Sequence, residues 1–161
     1  MRGRSLELRP PRSQAEWDRY HAIRKSCLFD VYHPPGTPQF VAYDRNHPDE
    51  RDPANHPLVL LLDGEIVGTI RLDIKPDNRA IFRQVAIVDG VRGMTLGTRM
   101  LRMAEAWAAK LGAAAVCLNS VREAYRFYER LGFHPTRWDG CTACPTSVPV
   151  VKPLIGVAQA A

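Results

Sequence analysis

Val85-Ala86-Ile87-Val88-Asp89-Gly90-Val91-Arg92-Gly93-Met94-Thr95-Leu96-Gly97 runs straight into Thr98-Arg99-Met100-Leu101-Arg102-Met103-Ala104-Glu105. A strand-like run thus leads through a turn with an Arg and two Gly into a helical stripe. The first N–H groups of a helix lack intrahelical acceptors and sit at the positive end of its dipole, so an anion docked there gains several charge-assisted hydrogen bonds. Gly93 and Gly97 have no Cβ, which lets the backbone turn tightly and approach a ligand. Arg92 adds a permanent positive fork suited to phosphate oxygens. A junction whose glycines serve geometry alone explains the same residues equally well.

A second stretch, Ala124-Tyr125-Arg126-Phe127-Tyr128-Glu129-Arg130-Leu131-Gly132-Phe133, is again amphipathic. Val121, Ala124, Tyr125 and Tyr128 share one helical face, so burial of Tyr128 is expected whether it is core or catalytic.

Outward from these stretches the chain reads as a mixed sheet. Leu6 and Leu8 alternate with charge as a short strand over 5–9. Ser13-Gln14-Ala15-Glu16 is a capping box that opens a helix to about Cys27. Residues 29–57 hold six Pro and three His, too long for an ordinary connection, so this stretch is a functional lid or contains a short helix. Strands are expected at Leu58–Leu62, Ile66–Ile74 and Ala80–Val88, joined by the tight turn Asp63-Gly64 and by Lys75-Pro76-Asp77-Asn78, as an antiparallel meander. Leu96, Met100, Met103, Ala104, Trp107 and Leu111 form the apolar stripe of the next helix, which Gly112 stops. A buried strand at Ala114–Leu118 follows. Ser120-Val121-Arg122-Glu123 reads as a second capping box. A short strand starts at Phe133, and a last one lies near Val148–Leu154. The predicted fold class is α/β: a meander, then β-α-β-α units, with helices on both faces.

The length of 161 residues suits a single domain, residues 1–161, with a sizeable core. No apolar run approaches a membrane span, and Met1 to Arg9 lacks the apolar segment of a secretory signal, so a cytoplasmic protein is expected. Cys27 and Cys117 read as buried small side chains. Cys141 and Cys144 form a lone Cys-x-x-Cys without the second pair of a zinc site. The spacings of His33, His47 and His56 fit no compact ligand set, so no metal is expected. The net charge of +5 favours an anionic ligand. Its basic residues are scattered without aromatic interleaving, which makes nucleic-acid binding the weaker reading.

Several motifs resemble those of the GNAT-type (Gcn5-related) acyl-CoA N-acyltransferases. Arg92-Gly93-Met94-Thr95-Leu96-Gly97 matches that family's cofactor loop at Arg92 and Gly97, and departs at Thr95, where the family usually has Gly. Phe127-Tyr128-Glu129-Arg130-Leu131-Gly132-Phe133 resembles its Tyr-x-x-x-Gly-Phe element, and Asp63 to Leu72 fits its second and third strands. The resemblance covers roughly residues 5–135, with the elements in the same order.

It implies direct transfer of an acetyl (acyl) group from acetyl-CoA to a primary amine. The backbone of Val85, Ala86 and Ile87 would pair with the pantetheine arm. Arg92, Gly93, Met94, Thr95, Leu96, Gly97 and Thr98 would wrap the pyrophosphate. Asn119 would line the pantetheine channel, and Tyr128 would protonate the departing thiolate. Thr95 keeps a backbone N–H, but its Cβ narrows the approach; its hydroxyl could cap the helix or meet a phosphate oxygen.

The general base stays open among Asp73, Glu50, Asp52, His56 and a water chain. The acceptor amine is unspecified, because residues 29–57 and the variable segment 140–161 would build its surface. The partners implied are acetyl-CoA and the amine acceptor, with a homodimer left open. A module that binds acyl-CoA without catalysis is the alternative.

Overall fold

The alternation at the start folds as expected. Strand β1 (Leu6–Arg9) pairs antiparallel with β2 (Asn55–Leu62), Leu6 opposite Leu62 and Arg9 opposite Val59. The computed structural model describes residues 3–91, 95–141 and 146–154. Every residue from Leu58 to Leu62 is buried, so β2 is covered on both faces and its continuous apolar run needs no alternation.

Helix α1 (Gln14–Arg24) starts at its predicted cap, where Ser13 Oγ accepts from the Glu16 N–H at 3.2 Å. The reciprocal half of the box does not form. Glu16 instead accepts from the Arg12 N–H at 2.7 Å and from both Arg9 guanidinium nitrogens, tying the helix start to β1. The helix also runs on. A π-helical turn (Lys25–Phe29) leads into α2 (Asp30–Tyr32), and a 3-10 turn covers Pro48–Glu50, so the long 29–57 stretch holds short helices.

The turn after β2 has both central residues at positive φ, Asp63 at 52° and Gly64 at 84°, the twist a two-residue hairpin needs. Strands β3 (Glu65–Ile74) and β4 (Arg79–Ile87) follow. Within β4, Gln84 sits at φ 52°, a left-handed residue that interrupts the strand's alternation. Gly68 on β3 marks the tightest approach. A Cβ built there would lie 2.7 Å from Ile87 Cδ1, 2.9 Å from the Ala86 carbonyl oxygen and 3.3 Å from Met100 Sδ. The side chains can shift, but the carbonyl cannot. Gly68→Ala is therefore expected to lower stability by about 1–3 kcal/mol, read as a fall in denaturation midpoint. An unchanged midpoint would contradict this packing.

Helix α3 (Leu96–Lys110) buries Leu96, Met100, Leu101, Ala104 and Ala108. The predicted stripe is thus rotated by about one position: Met103, Trp107 and Leu111 are only half-buried. The helix ends as predicted at Gly112 (φ 93°). Its N–H reaches Ala109 O at 3.0 Å and that of Ala113 reaches Ala108 O at 2.9 Å, the paired bonds of a Schellman stop.

Strand β5 (Ala115–Val121) pairs in parallel with β4 over Arg79–Ile81 and antiparallel with β7 (Ser147–Pro153), which also pairs with β6 (His134–Pro135). The strand order is β1-β2-β3-β4-β5-β7-β6, a mixed sheet. The second capping box is not one. Ser120 is a buried residue of β5 whose hydroxyl donates to the Val121 carbonyl at 2.7 Å. A 3-10 turn (Arg122–Ala124) without a side-chain cap leads instead into α4 (Tyr125–Arg130).

The chain divides into two compact units, one of Met1–Leu72 with Gln84–Ala104, the other of Asp73–Arg83 with Glu105–Ala161. In the first, Tyr20, Ile23, Val59, Leu61, Ile66 and Ala86 form a core cluster with Trp17, Cys27 and Leu28 against it. In the second, Ile81, Cys117 and Trp138 cluster with Cys141 and Val151. Cys27, expected to be buried, is half-buried, because its position falls on the π-helical turn at the edge of the first cluster.

Candidate functional site

The first unit carries the strand–turn–helix junction. Val85 and Ile87 are half-buried and Ala86 buried at the end of β4. The Val88 N–H donates to Val67 O at 2.9 Å, and a 3-10 turn covers Asp89–Val91. Arg92, Gly93 and Met94 lie outside the described residues. Thr95 follows at φ 59°, and its carbonyl accepts from the Arg99 N–H at 3.1 Å, so the helix is launched there.

Left-handed backbone is costly for a β-branched side chain and free for glycine. The one departure from the family loop therefore falls where the backbone itself favours Gly. Leu96, Gly97 and Thr98 form the first turn, which contains no acidic residue. Its N–H groups are those an α-helix leaves without intrahelical acceptors, and that turn itself carries no carboxylate to oppose an anion.

A polar cluster that the sequence did not announce lies in the same unit. Arg24 on α1 donates from Nε to Gln84 Oε1 at 2.6 Å, and from Nη1 to the Tyr20 hydroxyl at 2.7 Å and Glu50 Oε1 at 2.6 Å. Arg71 on β3 donates to the same Glu50 oxygen at 2.8 Å. All three charged side chains are buried, at 4%, 7% and 5% exposure for Arg24, Glu50 and Arg71. Burial opposes ionisation of Glu50, but the attraction and hydrogen bonds of the two guanidinium groups outweigh it and hold its carboxyl below the ordinary value. Glu50 is thus a clamped anion and a poor proton acceptor.

Arg24, Glu50, Arg71 and Gln84 line a cavity of about 240 Å3 together with Tyr43, Asp44, His47 and Asp49. Tyr43 also meets His21, 8% exposed, with its hydroxyl 2.5 Å from Nδ1. The signal that could have revealed the cluster is the spacing Trp17, Tyr20, His21, Arg24, one face of α1. Each of those four side chains carries a polar group where a core face would be apolar.

The other base candidates are placed differently. Asp52 is exposed and its Oδ1 accepts from the Ala54 N–H at 2.9 Å. His56 is half-buried on β2. In the second unit, Asp73 is buried and Arg83 Nε lies 3.4 Å from its Oδ2. That unit also holds Tyr128, 7% exposed on α4 and edge-on to Phe127 and Phe133. Such burial suits a core residue and a proton donor alike. Asn119 is half-buried on β5, opposite Pro149. Cys141 is a free thiol; Cys144 lies outside the described residues. Among the described residues no helix is long and apolar enough to cross a membrane, and no three His, Cys, Asp or Glu gather as metal ligands.

Known proteins match this architecture. Escherichia coli ElaA superposes with a TM-score of 0.72 at 15% identity, over 93% of this chain and 99% of that one. The PaiA N-acetyltransferase of Thermoplasma acidophilum, solved in complex with coenzyme A, gives 0.72 at 18% identity, over 92% and 99%. At these identities the likeness is one of fold. "Probable N-acetyltransferase camello" of Xenopus tropicalis is 30% identical over 81 residues, which are 47% of this chain and 37% of that protein. The match therefore spans little more than a third of that relative's length. The Acetyltransferase (GNAT) family model matches residues 17–133, most of the chain. The chain belongs to the GNAT acetyltransferase family.

Proposed function

We propose that the chain is an N-acetyltransferase that moves the acetyl (acyl) group of acetyl-CoA directly to a primary amine. The observation that carries this reading is the junction of β4 with α3. A strand ends at Ile87, a helix starts at Thr95, and Gly97 sits in an acid-free first turn, all within the matched segment. In this reading the backbone of Val85, Ala86 and Ile87 receives the pantetheine arm as a strand edge would. Residues Arg92 through Thr98 hold the pyrophosphate. Asn119 lines the arm's channel. Tyr128 gives its hydroxyl proton to the departing sulfur. The coenzyme A complex of the PaiA relative supports the choice of ligand. Free thiols at Cys27, Cys117 and Cys141 accord with a cytoplasmic setting.

Acetyl-CoA at ~100 times its dissociation constant should stabilise the fold by about 2.7 kcal/mol. Gly97→Glu places bulk and like charge where the diphosphate is to sit, and is expected to abolish that stabilisation while the ligand-free protein still folds. Thermal melts with and without acetyl-CoA check both statements. A Gly97→Glu protein that gains the wild-type shift puts the diphosphate elsewhere. A ligand-induced shift without transfer to any amine would favour the sensing module instead.

A further inference from the structure

Resting on the acetyltransferase reading, we propose that Tyr43 and His21 form the proton relay that deprotonates the acceptor amine. Tyr43 takes the proton from the substrate, and His21 receives it through Tyr43. Neither residue was among the base candidates drawn from the sequence. Tyr43 lines the cavity that Gln84 also lines, and Gln84 immediately precedes the Val85–Ile87 segment assigned to the thioester-bearing arm. Its hydroxyl lies 2.5 Å from His21 Nδ1. The clamp on Glu50 removes the most buried carboxylate of that cavity from the role.

The surroundings of His21 suit a neutral acceptor. Its ring stacks on Trp17 and meets Tyr20 and Tyr43 edge-on. Burial, then the positive charges of Arg24 and Arg45, push its pKa down, while Glu50 and Asp18 partly oppose them. These surroundings favour the uncharged imidazole. Tyr43 is pushed up to about 12, first by burial, with Glu50 adding to it and Arg24, Arg45 and Arg71 opposing. It holds its proton until another replaces it.

The deprotonation balances without a phenolate on Tyr43. An N–H bond of the bound ammonium breaks and its proton goes to the Tyr43 oxygen, while the Tyr43 proton passes to His21 Nδ1. The amine electron pair forms the N–C bond to the thioester carbonyl, and the C–S bond breaks with its pair on sulfur. The tetrahedral adduct loses its second amine proton to water, sulfur takes the hydroxyl proton of the acid assigned to Tyr128, and Tyr128 is reprotonated from solvent. His21 returns its proton to solvent, so each transfer releases one proton.

The test is the pH dependence of kcat/KM with acetyl-CoA and an amine accepted by the wild type. It should run from below the imidazole pKa to near that of an alkylamine. His21→Gln and Tyr43→Phe are compared, and thermal melts with CoA confirm that each folds and binds. Tyr43→Phe removes only a hydroxyl and is the milder change. Near neutrality both are expected to lose ~10²–10⁴-fold, the worth of a positioned base. The deficit should shrink as pH nears the amine pKa, where free amine is already present. A purely structural pair would lower the profile evenly or leave it unchanged, and either result overturns the relay. A wild type that binds acetyl-CoA but acetylates no amine overturns the acetyltransferase reading and the relay with it. An active wild type with parallel variant profiles overturns the relay alone.

Discussion

Tyr128→Phe is expected to reduce acetyl transfer by ~10²–10⁴-fold, the usual worth of a positioned acid. The packing should survive, because the ring stays between Phe127 and Phe133, edge-on to both. Only the hydroxyl is lost. If Tyr128 serves the core alone, the change costs little in rate and about 1 kcal/mol of stability, for one hydrogen bond. Initial-rate measurement of thiol release, under conditions where chemistry limits the rate, separates the two outcomes. Near-normal turnover would remove Tyr128 from the mechanism without touching the fold or the ligand, since water could protonate the thiolate.

The second large effect lies in the buried charge cluster. Glu50→Ala would leave Arg24 and Arg71 facing each other without the carboxylate oxygen they share. Removing one partner from a buried ion pair costs about 3–5 kcal/mol, because the remaining buried charges lose the carboxylate they were held against; Asp49, exposed and 3.8 Å from Arg71, offsets little of it. The expected result is a large fall in denaturation midpoint at neutral pH. A pH signature accompanies it. The folded carboxyl of Glu50 is held below its ordinary value of 4.5. Its contribution is thus complete above the unfolded pKa and lost as pH falls through the folded one. The wild type should therefore lose stability in acid more steeply than Glu50→Ala. Equal midpoints for the two at neutral pH would show that the clamp contributes nothing.

Local signals carried far in this chain. Ser13, Asp63-Gly64 and Gly112 each act through their own neighbours, so cap, turn and stop fell where the sequence placed them. Ser120 misled because the Ser-x-x-Glu pattern looks the same whether its Ser ends a strand or opens a helix. Membership of β5 in the sheet decided the matter. The buried stripe of α3 lies one position from the predicted one because Leu101 and Ala108 fit the apolar pattern about as well as Met103 and Trp107.

The strand–turn–helix junction was legible because its signal is contiguous, from Val85 to Thr98. The Arg24–Glu50–Arg71–Gln84 cluster was not, since its members come from four separate segments. His21 and Tyr43 are likewise 22 positions apart. Such side chains meet only after folding, and no spacing rule reports it. The left-handed backbone at Thr95 gives a physical basis for glycine in the family loop, which the motif states without explaining.

The most direct test of the account is to incubate the protein with acetyl-CoA and a panel of amines, polyamines, aminoglycosides and peptides. Free thiol and the mass of each acceptor are then followed together. An N-acetyltransferase releases one CoA thiol for each acetyl group gained by an accepted amine, and Gly97→Glu does neither. Thiol release without an acetylated acceptor, or tight acetyl-CoA binding with no release across the panel, would contradict the account.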